Sequence, residues 1–101
     1  MIRFMRSARV QQGSRLPEAI GFAKEIAGFV QKYEGAANVT VCIDAFGDIG
    51  TIRWFADYPD LATMQKVMDQ VLADPDYWKA IQKASDLFDS STLTDLALRQ
   101  V

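Results

Sequence analysis

An α+β fold is predicted, with four strands and two helices in the order β-α-β-β-α-β. Three observations lead there. Period-two alternation of apolar residues appears in four separate segments. Two longer segments between them switch to the helical period. Turn-forming clusters of Gly, Ser, Asn, Asp and Pro punctuate the changes of period.

The elements follow in order. In IRFMRSARV (2–10), Ile2, Phe4, Ala8 and Val10 alternate with Arg3, Met5, Ser7 and Arg9, as a strand with one buried face requires. Arg6 falls among the apolar set, and a bulge would turn it to the opposite face. QQGS then marks a turn, with Ser14 placed to cap a helix and Pro17 suited to its first turn. To Tyr33 the stripe is Leu16, Ile20, Ala23, Ala27 and Val30, widened by Phe22, Ile26, Phe29 and Tyr33; Gly35 is the stop. NVTVCIDAF (38–46) and TIRWFAD (51–57) alternate again around the hairpin GDIG (47–50).

A second helix is expected from about Pro59 to Ala73, with Leu61, Met64, Val67, Met68, Val71 and Leu72 inward. DPDYW (74–78) breaks it. Asp74 is a helix cap, Pro75 suits the first helical position, and Asp76 complements the positive end of the helix dipole. The stripe resumes through Trp78, Ile81, Ala84 and Leu87. TLTDLALRQV (92–101) reads as the last strand, with Leu96 and Leu98 inward and Asp95, Ala97 and Arg99 outward.

This order is the split β-α-β, or ferredoxin-like, arrangement: a four-stranded antiparallel sheet with both helices on one face. The other face is left bare. It would carry Arg3, Met5, Ser7, Thr40, Cys42, Asp44, Arg53, Phe55, Asp95, Ala97 and Arg99. A second copy packed sheet to sheet would cover such a face and enclose a cavity.

Composition narrows the function. The 101 residues make one domain, half of them hydrophobic and 24% charged, as in ordinary globular proteins. A formal charge of −2 lacks the basic face that nucleic acid requires. No apolar run is long enough to span a membrane. A single cysteine permits no internal disulfide, and MIRFMRSARVQQ lacks the apolar core of a secretory signal, so a cytoplasmic setting is expected. There is no histidine. Ser-His-Asp catalysis, histidine zinc sites and histidine-ligated haem are therefore excluded, and no metal or cofactor is expected.

With its hairpin-to-helix stretch FGDIGTIRWFADYPDL and the segment LADPDYWKAIQKASDLF before the last strand, the chain resembles the dimeric α/β-barrel superfamily. The likeness is to NIPSNAP-like members and, more distantly, to antibiotic-biosynthesis-monooxygenase-like and haem-degrading proteins. It implies the ferredoxin-like fold and a homodimer. It implies no catalytic residue: there is no haem-ligating histidine, Asn38 precedes the second strand, and Trp54 is assigned to the helix side.

The ligand-binding candidates are Arg3, Cys42, Asp44, Arg53, Phe55, Asp95 and Arg99. Paired arginines near a cavity hold a carboxylate in a two-pronged grip. The competing reading is that they pair with Asp44 and Asp95 across the strands. Cys42 reads as a buried, inert thiol. Trp54, Phe55 and Tyr58 are packing aromatics or a stacking surface, and Met64 and Met68 are core filler. DAFGDIG lacks the spacing of a calcium loop. The expected function is a homodimer binding a small organic anion or aromatic at its interface. The alternatives are a cofactor-free monooxygenase- or isomerase-like enzyme on the same scaffold, and a structural protein with a filled barrel.

Overall fold

The computed structural model describes residues 1–101. The elements are β1 (Ile2–Val10), α1 (Leu16–Lys32), β2 (Ala37–Ile43), β3 (Thr51–Tyr58), α2 (Leu61–Leu72), α3 (Pro75–Lys83) and β4 (Phe88–Arg99). All pairings are antiparallel, and the sheet order is β2-β3-β1-β4. This is the ferredoxin-like architecture expected from the element order.

The corner at DPDYW is built as its residues dictate. Asp74 accepts the Asp76 backbone N–H at 3.0 Å, with Pro75 opening α3. Its second oxygen accepts from Lys32 Nζ and the Tyr33 hydroxyl, each at 2.9 Å, tying α3 to the end of α1. Lys32 and then Tyr33 hold the Asp74 carboxyl below its usual pKa. Asp60 caps α2 through the Thr63 N–H at 2.7 Å. Ser14 is no cap: it lies in a 3-10 turn, Gly13–Arg15, and α1 starts without a side-chain cap.

The buried residues of α1 are Ala19, Ala23 and Ala27. Small side chains let the helix backbone approach the sheet closely. Trp54 exploits this, donating its indole N–H to the Ala23 carbonyl at 3.0 Å. One end of the core gathers Val10, Ala19, Ala23 and Ile52. The other gathers Ala56, Tyr58, Val67, Val71 and Tyr77. The closest helix–sheet approaches are to β2 and β3, which leaves the β1–β4 half less tightly covered.

The last strand departs from expectation. Before a bulge its pairing with β1 runs Val10↔Phe88, Arg9↔Asp89; from Thr94 on it runs Ser7↔Thr94, Arg6↔Asp95. Residues 90–93 therefore stand opposite Ala8 alone, three more than a regular ladder allows. An odd insertion reverses the alternation of side chains. Phe88 faces the helices, 5.7 Å from Phe22 and from Trp54. After the bulge, Asp95, Ala97 and Arg99 share the face of Arg6, Phe4 and Ile2, while Leu96 and Leu98 share that of Met5 and Arg3. The outward placement of Asp95 and Arg99 is thus corrected. The bulge is held by Arg9 N–H to Thr92 Oγ1 at 2.8 Å, and by Asp89 Oδ1 accepting from the Ser91 N–H and hydroxyl at 3.1 and 2.6 Å.

Arg6 keeps the regular alternation of β1, opposite Trp54. It needs no bulge in its own strand and lies on the helix side.

Candidate functional site

Between the sheet and the helices lies a cavity of about 390 Å³, within the lower part of the range of small-ligand sites. Phe4, Trp54, Met68, Tyr77, Trp78 and Phe88 are among its walls. Outside the apolar and aromatic set, only Arg6, Ser85 and Ser90 line it. Leu72, Trp78 and Leu93 line it too, yet are about half exposed, so they stand at its mouth.

Arg6 is the one charged side chain in this wall. Its Nε and Nη2 donate to the two oxygens of Asp95 at 2.7 and 2.8 Å, a bidentate pair between neighbouring strands. The guanidinium carbon lies 5.7 Å from the Phe4 ring centre. Asp95 raises the Arg6 pKa above its ordinary value, against the effect of burial, and the Tyr77 phenol adds a smaller contribution. Arg6 therefore stays cationic.

The polar tips of the aromatic residues divide into two groups. Both indoles are committed: Trp54 to Ala23, and Trp78 to the Leu72 carbonyl at 2.8 Å. Tyr58 is buried, burial raises its pKa, and its hydroxyl has no hydrogen-bond partner in the protein. Gln70 Oε1 is the only fully covered side-chain polar atom without a partner. Tyr58 is one of the residues that line the cavity. Tyr77 is fixed by an edge-to-face contact with Phe29, ring centres 5.8 Å apart.

The residues singled out from sequence are divided between two faces. Arg3, Cys42, Arg53 and Phe55 lie on the bare face, and Asp44 reaches Arg53 there. Arg53 Nε and Nη2 donate to the two Asp44 oxygens at 2.8 and 3.1 Å, which lowers the Asp44 pKa. Arg3 likewise grips Asp57 at 2.8 and 3.2 Å, and the Asn38 amide donates to the same carboxylate at 3.0 Å. Arg3 and then Asn38 hold Asp57 at about 2. Asn38 lies inside β2, at a register shift, with φ of +52°, a conformation asparagine tolerates. It does not precede the strand as expected. Cys42 is exposed rather than buried. Asp95 pairs with Arg6 on the opposite side of the sheet, and Arg99 lies at the far, exposed end of that side.

Sequence reasoning missed the cavity, although Arg6 signalled it: a cation in the apolar half of an alternating strand needs an internal partner or an internal opening. No group of three or more Cys, Asp or Glu side chains is placed to hold a metal. No helix is long and apolar enough to cross a membrane.

No protein-family model matches the chain, and no curated protein matches its sequence. Solved structures do match. A NIPSNAP domain protein from Burkholderia xenovorans has a TM-score of 0.83 at 16% identity, covering 100% of this chain and 95% of its own. A NIPSNAP family protein from Agrobacterium tumefaciens has 0.77 at 15%, covering 99% and 92%. A candidate antibiotic-biosynthesis monooxygenase from Deinococcus radiodurans has 0.75 at 17%, covering 100% and 93%. At such identities the likeness carries the fold alone. It is the ferredoxin-like fold of these proteins, over the whole chain.

Proposed function

We propose that the protein binds a small, mainly apolar or aromatic organic molecule in the cavity between its sheet and its helices. One observation carries the reading: about 390 Å³ of space walled by apolar and aromatic side chains, with a single charged one, Arg6. That combination of apolar walls and few polar groups is characteristic of ligand sites. Both tryptophans of the chain, Trp54 and Trp78, line the cavity. Intrinsic fluorescence therefore reports on its occupancy. Small apolar and aromatic probes should shift or quench the emission saturably, and Ser90→Phe, which places a ring in the lining, should weaken the response. A panel that produces no saturable change defeats the proposal.

A second copy of the chain is proposed to cover the bare face. Supporting this are Met5 and Phe55 at its centre and Leu96 and Leu98, each about half exposed. Arg3, Cys42, Asp44, Arg53 and Phe55 then belong to the contact between copies. Light scattering should give twice the chain mass at micromolar concentration; a monomer rejects it. A reducing, cytoplasmic setting suits the unpaired, exposed Cys42.

A cofactor-free enzyme is the second reading. It is favoured by the likeness in fold to a candidate monooxygenase and by the presence of Tyr58 in the cavity lining. Oxygen uptake on adding electron-rich phenols that bind would support it. Binding without any turnover rejects it.

A further inference from the structure

Resting on the cavity reading, we infer that the ligand is a monocarboxylate with an apolar body, and that it binds by replacing Asp95 on Arg6. The two partners of this pair are unequally held. Arg6 belongs to a central strand, stands in the cavity wall and rests beside the Phe4 ring. Asp95 belongs to the edge strand β4, is 43% exposed at its side chain, and bonds nothing but Arg6. A carboxylate arriving from the cavity meets the same fork that Asp95 fills now, and Asp95 can turn into water.

The exchange leaves the charge balance of the wall unchanged, because one carboxylate replaces another. A half-exposed ion pair is weak, so releasing Asp95 is not a serious barrier. A neutral ligand gains only the apolar contacts. A cationic ligand meets Arg6 with no anion free to receive it. A multiply charged anion would place charge against apolar walls that cannot solvate it. The apolar body and single carboxylate thus follow from the wall and from the fork together.

The test compares 4-tert-butylbenzoate with 4-tert-butylbenzyl alcohol by isothermal titration calorimetry on the full chain. The carboxylate should bind roughly tenfold tighter than the alcohol, the scale of a bidentate charged contact set against a competing internal one. Asp95→Asn removes the competing carboxylate and should widen that preference severalfold. Arg6→Gln should reduce it to about unity. Equal binding of the two probes to the native protein overturns the inference while leaving the cavity reading intact. So does a preference that Asp95→Asn leaves unchanged. If neither these probes nor the apolar panel binds, the cavity reading falls as well. Asp95→Asn changes an exposed side chain by one group, so it keeps the test decisive even if Arg6→Gln folds poorly.

Discussion

Gly35 is the residue whose replacement should be felt most for its size. It sits between α1 and β2 at φ of +121°, where a side chain is strained. A Cβ at this position would lie 2.6 Å from Thr63 Cγ2 and 3.3 Å from Val67 Cγ2. The backbone strain of Gly35→Ala is about 1–3 kcal/mol. Displacing a stiff β-branched threonine and a fully buried valine adds about 1–3 kcal/mol. The unfolded chain gives back about 0.4–1 kcal/mol, because alanine is less flexible than glycine. The net loss is about 1–5.5 kcal/mol, a large part of the roughly 5–15 kcal/mol of a small domain. Urea unfolding followed by tryptophan emission measures it. The two contributions separate in a double-mutant cycle with Thr63→Ser, which deletes the clashing methyl and keeps the hydroxyl. In that background Gly35→Ala should be milder by about 1 kcal/mol or more, and the strain should remain. A loss below about 1 kcal/mol for the single variant, or no coupling in the cycle, would refute the reasoning.

Val67→Ala, at a position with no exposure in both the core and the cavity wall, should destabilise by about 2–3 kcal/mol in the same urea assay. Asp57 should titrate at about 2 by NMR, and Arg3→Ala should move the midpoint upward. Since its folded pKa lies below the ordinary value of about 3.9, its contribution is present above that pH and disappears as pH falls toward about 2. Leu96→Glu combined with Leu98→Glu should convert the proposed dimer to monomer in light scattering without changing the circular dichroism spectrum; a dimer that survives places the contact elsewhere.

Local signals were legible in the amino-acid sequence. The helical stripes, the hairpin glycines and the DPDYW corner each depend on neighbours within a few residues, and the structure forms each near its expected place, although Leu61, Leu72 and Trp78, expected inward, are about half exposed and Tyr77 is the buried aromatic of α3. The face of β4 was not legible. Leu96 and Leu98 alternate as an inward set would, but which way they point depends on the bulge at 90–93, and only the pairing with β1 reveals that. Asp95 and Arg99 were misplaced for that reason, and the partner of Arg6 went unrecognised. Cys42 was misjudged because β2 is an edge strand whose outer face carries no covering layer within the chain. The cavity itself arises from where the helices sit over the sheet, a property no stretch of sequence displays alone.

The bulge in β4 also makes chain length there a form of information. A substitution within 90–93 alters one side chain and leaves the number of residues in the bulge unchanged. A deletion or insertion of a single residue would instead exchange the two sides of everything from Thr94 to Arg99. Arg6 would lose its carboxylate, and the leucines would turn from the outer surface into the cavity mouth. The proposed seam between two copies and the charge in the pocket would thus be rewritten together, by a one-residue event in the edge strand. A two-residue change would leave both intact. Among relatives of this chain, odd and even differences in length at this point should therefore sort proteins by what they hold and how they assemble.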